Sequence, residues 1–102
     1  MFIQLWLTSK DQAEADSIAK VLLEKRLVAC AKKLPVSSDF VWKGQADHSE
    51  EILLVMDSRE DLFEEIEAEV KKLHSYESFV LQATPILKTS KDAEKWLQKT
   101  LK

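Results

Sequence analysis

LVACAKKLPVSSDFVWKGQADHSEEILLVM, residues 27 to 56, decides how this chain folds, because it holds two apolar runs on either side of the only glycine. The first run, LVACAKKL at 27–34, predicts a strand that leads through Pro35 into VSSDFVWKG. Phe40 and Trp42 stand two apart there, as large residues on one face of a strand do. The second run, EILLVM at 51–56, predicts the partner strand. Gly44 falls between them, where the backbone of a hairpin turn needs positive φ, so the turn is placed at Lys43-Gly44. The hairpin from Leu34 to Met56 is then longer than one small sheet can pair.

Outward from this hairpin, FIQLWLT at 2–8 predicts a first strand with Ile3, Leu5 and Leu7 on one face. Ser9 and Gln12 match the first and fourth positions of a capping box. Ala15, Ile18, Ala19, Leu22 and Leu23 then recur at helical spacing opposite Asp16, Lys20 and Glu24, and this helix is expected to end near Lys25. Beyond the hairpin, Ser58 and Asp61 repeat the capping pattern before Leu62, Phe63, Ile66, Val70 and Leu73, so a second helix runs to about His74. FVLQATPI at 79–86 predicts a fourth strand whose Pro85 marks an edge or a terminus. Thr89 or Ser90 opens a last helix with Ala93, Trp96, Leu97 and Leu101 on one stripe.

Strand, helix, strand, strand, helix, strand and a final helix is the order of a split pair of crossover units. It predicts an α+β, ferredoxin-like sandwich (βαββαβ plus a C-terminal helix), with a four-stranded antiparallel sheet and two helices on one face. The other sheet face is left bare. Either the last helix covers part of it or a neighbouring chain does, and an oligomer is expected because the hairpin is so long.

The 102 residues hold one domain, 1–102, with 45% hydrophobic and 32% charged residues, a soluble globular balance. A net charge of -3 excludes the basic footprint that nucleic acid requires. Lys88, Lys91, Lys95, Lys99 and Lys102 are spread around a helix among Asp92 and Glu94 and form a solvated face. Cys30 is the only cysteine, so neither an intrachain disulfide nor a thiolate cluster forms, and a reducing compartment, the cytoplasm, is expected. The start, MFIQLWLTSKD, has no signal-peptide pattern and is far too short and polar to span a membrane. No metal is needed for folding.

LHSYESF at 73–79 places a histidine, a phenol and a carboxylate, His74, Tyr76 and Glu77, within four positions. That is a candidate ligand site, or a helix end where the ring of His74 meets free carbonyls and the helix dipole. Cys30 is a candidate copper ligand, since soft thiolates suit Cu(I), or a small buried hydrophobe. With His74 it supplies two donors of the two to four a copper site needs. His48, among Asp47, Ser49 and Glu50, reads as solvated. Trp42 and Phe40 are expected to pack at the hairpin or a subunit contact, and Trp6 and Trp96 in the core or at its edge. One glycine excludes a phosphate-cradling loop.

From Thr8 to Trp96 the chain resembles the CutA family of divalent-cation tolerance proteins. The matching pieces are Thr8-Ser9, the helix end LLEKRLVAC (22–30), Leu34-Pro35, Ser38, Phe40, Trp42-Lys43-Gly44, Glu51 with Leu53-Leu54, Leu73-His74 with Tyr76-Glu77, and Pro85-Ile86. The resemblance implies a compact homotrimer whose hairpins pair between subunits. It also implies a cleft at the subunit boundary near Cys30, Trp42 and the His74–Glu77 segment, binding of copper or another divalent cation, and no enzymatic turnover. The chain departs from the family pattern at Lys32, at Asp57-Ser58, at Ser75 and at Ser78-Phe79-Val80, which changes charges around that cleft. Two other readings accompany it: a trimeric module of the PII type that binds a small molecule between subunits, and a structural paralogue that keeps the fold alone. An acylphosphatase chemistry would need an arginine in the loop after the first strand, where this chain has TSKDQ.

Overall fold

The computed structural model describes every residue from Met1 to Lys102. The hairpin is formed by β2 (Cys30–Trp42) and β3 (Gln45–Arg59), antiparallel and in unbroken register from Cys30↔Asp57 to Trp42↔Gln45. Lys43 and Gly44 close it with φ of 51° and 79°, two positive values in succession, as a two-residue turn matched to strand twist requires. Pro35 sits within β2 at no cost to the sheet because β2 is an edge strand, and its missing N–H faces no second neighbour.

β1 (Phe2–Ser9) pairs with β3 from Phe2↔Arg59 to Ser9↔Ile52, and β4 (Leu81–Pro85) pairs with the other edge of β1. The sheet order is β2-β3-β1-β4, all antiparallel, which is the expected ferredoxin-like arrangement. β1 ends opposite Ile52, so Gln45–Glu51 has only β2 beside it. This leaves a free-standing two-stranded arm and stretches the molecule to 44 × 25 × 22 Å.

Three helices complete the domain: α1 (Gln12–Glu24), α2 (Phe63–Leu73) and α3 (Lys91–Thr100). One core unites them with the sheet. Ile3, Leu5 and Leu7 of β1 and Leu54 and Met56 of β3 meet Ala15, Ile18, Ala19 and Leu22 of α1, Ile66 and Val70 of α2, and Leu97 and Leu101 at the end of the chain. Because Leu97 and Leu101 join this core, the sheet's other face stays uncovered: Trp6 is 37% and Leu34 43% exposed. Trp96 is exposed as well, and so are Phe40 and Trp42, so in a single chain none of the large aromatics expected at the core or a contact is buried. Leu23, expected on the buried stripe, is also exposed.

Both capping boxes expected from sequence are displaced. Ser9 is the last residue of β1, fully buried, with its hydroxyl donating to the Ile52 carbonyl. The N-cap of α1 is Asp11, whose carboxylate accepts from the Glu14 N–H at 2.9 Å. Ser58 is likewise buried in β3, where it donates to the Leu27 carbonyl, and α2 begins at Phe63 after a 3₁₀ turn, Glu60–Leu62. In both places strand pairing takes the hydroxyl that the local pattern offered to a helix. β4 starts at Leu81, two residues late, because Phe79 turns inward against His74.

α1 ends in a Schellman motif. Leu27 N–H donates to the Leu22 carbonyl and Arg26 N–H to that of Leu23, with Arg26 at φ 58°. A left-handed residue at this position favours glycine. Arg26→Gly is therefore expected to raise stability by about 1 kcal/mol, read as a higher thermal midpoint at fixed protein concentration.

Candidate functional site

One end of the sheet is closed by a polar knot that four elements build. His74, the C-cap of α2, has its side chain fully buried; Nε2 lies 2.8 Å from the Thr8 carbonyl and Nδ1 accepts from the Tyr76 N–H at 3.1 Å. Since Tyr76 donates to Nδ1, the ring proton is on Nε2, which donates to Thr8. Phe79 stacks on the imidazole with centroids 5.3 Å apart. The Tyr76 hydroxyl donates to Glu51 at 2.6 Å. Burial, then the hydrogen bond and charge of Glu51, push its phenol up to about 12, so it serves as a fixed donor.

Glu14, in the first turn of α1, ties the knot from the other side. Its carboxylate accepts from Lys10 N–H at 3.1 Å and Ser75 N–H at 2.9 Å. Burial pushes this carboxyl up, but the hydrogen bonds from Ser75 and Lys10 outweigh it and hold the group below its usual value. Glu14 was not singled out in the sequence and Glu51 stood only among the residues matching the family, although a signal existed for Glu14. It lies on the stripe of Ile18 and Leu22, at successive steps of four, where a carboxylate is out of place unless it is paired.

Of the two metal candidates, His74 presents no free ring nitrogen, since both are hydrogen-bonded within the chain. Cys30 lies elsewhere. It opens β2 opposite Asp57, which is itself opposite Gln4, whereas His74 touches Thr8, roughly 13 Å further along β1. The Lys32 ammonium stands 3.6 Å from the thiol and 3.7 Å from the Asp57 carboxylate. No group of three or more His, Cys, Asp and Glu side chains converges to hold a metal. One chain thus offers copper a thiol with a neighbouring carboxylate rather than a closed site.

The three cleft candidates divide. Trp42 and Glu77 are brought together through Lys43, whose ammonium lies over the Trp42 ring and 3.8 Å from Glu77, while Tyr76 points into the knot. Beside the knot, a hollow of about 500 Å³ opens between the start of α1 and the base of the hairpin. Residues 10–12, 35–37 and 50–52 line it, and the carboxylates of Glu50 and Glu51 are engaged by His48 and Tyr76.

An antiparallel sheet with its helices on one face and a polar knot closing one end defines a ferredoxin-like α+β domain, here drawn out into a hairpin arm. Within that class the assignment is specific. The family model described as "CutA1 divalent ion tolerance protein" matches residues 3–100, and the chain belongs to this family. It is 35% identical over 97 residues to the divalent-cation tolerance protein CutA of Archaeoglobus fulgidus, covering 95% of each chain, and 30% identical to that of Pyrococcus horikoshii, covering 93% of each. The solved structure of the Archaeoglobus fulgidus protein, described as periplasmic, overlays the whole of both chains with a TM-score of 0.96 at 34% identity. The Thermus thermophilus protein overlays equally, with a TM-score of 0.96 at 29% identity. The family is not known for enzymes.

Proposed function

We propose that this protein serves divalent-cation tolerance by binding copper weakly and without turnover, as a cytoplasmic homotrimer in which Cys30 is the principal ligand. Family membership over nearly the whole chain carries the cation role. The chemistry of Cys30 favours copper, because a thiolate is a soft donor and suits Cu(I). Weak binding follows from the geometry. The intrachain partner of Cys30 is Asp57, and His74 lies roughly 13 Å further along the sheet with both ring nitrogens engaged. A single cysteine stays reduced most readily in the cytoplasm. The uncovered sheet face, with Trp6 and Leu34 exposed, and the unsupported arm are what a trimer would bury.

Calorimetric titration of the reduced protein with copper, with zinc as control, tests the reading, and scattering mass on the same sample should be near three times 11.7 kDa. Copper heat is expected to vanish in Cys30→Ser and to persist in His74→Ala. Copper binding unchanged in Cys30→Ser overturns the ligand assignment, and a monomeric mass overturns the assembly.

A further inference from the structure

The hairpin arm carries a cluster that the cation reading does not use. Within one chain, β3 beyond Ile52 pairs only with β2. On one face of this ribbon His48 stands directly opposite Asp39, and Ser37 directly opposite Glu50. His48 Nδ1 is 2.6 Å from Asp39 Oδ1, and Nε2 is 2.6 Å from Glu50 Oε2. The Ser37 hydroxyl is 3.4 Å from the same Nε2.

Ionised carboxylates only accept hydrogen bonds, so at these distances both ring nitrogens must donate, which is the imidazolium form. The carboxylates flank opposite nitrogens and do not point at one centre, in keeping with the absence of a metal-holding group. What the two strands share here is a proton.

We propose that His48 is a proton-operated clip across the β2–β3 arm: as imidazolium it ties Asp39 of β2 to Glu50 of β3, and on losing the Nε2 proton to solvent it lets Glu50 go. In the neutral ring Nδ1–H still reaches Asp39, but the Nε2 lone pair then faces the Glu50 carboxylate. Asp39 and Glu50 are left as two anions with no cation between them. Asp47, the preceding residue of β3, belongs to the other face of the ribbon, and its carboxylate accepts from the His48 backbone N–H at 2.7 Å. The charged groups facing the ring all come from β2 and β3. The arm's own cation, Lys43 at the tip, is turned to Glu77 at 3.8 Å. The clip therefore stiffens the ribbon that presents Trp42 and Lys43 to the segment after α2.

Asp39 first, then Glu50, raise the pKa of His48 above the 6.5 of a free imidazole. A raised folded value means that the clip is fully formed below about pH 6.5 and is lost as pH climbs through His48's own higher midpoint. Both carboxylates are exposed, so the effect on the arm is modest and sensitive to salt.

Nitrogen NMR of the imidazoles against pH, with amide exchange of the arm corrected for its intrinsic pH dependence, tests this on the intact protein. His74 is the only other histidine and serves as internal reference. The His48 midpoint is expected above about 6.5 and should drop in Asp39→Asn Glu50→Gln. Exchange of the Asp39 and His48 amides should quicken about two- to fivefold through that midpoint, the factor an exposed ion pair confers. In His48→Gln the pH step should be absent while β1 amides stay protected, which shows that the fold is intact. A midpoint at or below that of a free imidazole, a midpoint unmoved in the double variant, or arm exchange that ignores His48's titration each overturns the clip.

Discussion

His74→Ala is expected to lower the unfolding free energy by about 3 kcal/mol per chain, through two orphaned backbone groups and a lost ring stack. The side chain is fully buried, so water cannot replace what it does. Without it the Thr8 carbonyl and the Tyr76 N–H lose their partners, and Phe79 loses the imidazole it stacks on. His74→Asn should recover part of the loss, because a side-chain amide can satisfy one of the two groups. Urea denaturation at fixed protein concentration is the measurement. A loss under about 1 kcal/mol would mean that neighbouring groups re-pair and that His74 does not hold the knot. The contrast with copper is informative, since a ligand and a structural histidine predict opposite pairs of results.

Glu14→Gln should cost about 2 kcal/mol at neutral pH, because charge-assisted hydrogen bonds to buried carboxylates exceed ordinary ones. The amide keeps one acceptor where the carboxylate has two, so either Lys10 N–H or Ser75 N–H is left facing an NH₂ group. The sign of the pH dependence follows from the depressed carboxyl of Glu14. Its contribution is complete above the ordinary glutamate value of 4.5 and disappears as pH falls through its own lower value. Wild type and variant should thus differ most near neutral pH and converge as pH falls below the ordinary glutamate value, which thermal midpoints across the acid range would show. A gap that stays constant with pH would mean that charge at Glu14 is not what matters.

Several features were legible because they depend on residues close together in the chain. The Lys43-Gly44 turn needed only the one glycine between two apolar runs, and α3 needed only Ser90 before its stripe. Alternation in FIQLWLT placed Ile3, Leu5 and Leu7 on the buried face, where they are. Antiparallel order followed from the sequence of elements, since few topologies connect them without crossing.

The misplaced features share a different cause. Ser9 and Ser58 look like helix caps until Ile52 and Leu27, distant in sequence, claim their hydroxyls. Cys30 and His74 looked like one site and lie at different places along β1, a separation that register alone sets. Glu14, passed over in the sequence, takes the Ser75 N–H, 61 residues away, as its partner.

Periodicity and turn chemistry act over a few residues, so element types, the hairpin and the apolar faces were present in the chain before any packing. Which polar group meets which is settled by strand register and helix docking, where one residue of slip exchanges every partner. The His74–Glu14–Tyr76 knot, the His48 clip and the open thiol at Cys30 are consequences of that second level. A buried donor or acceptor takes whichever partner the assembled backbone brings within about 3 Å.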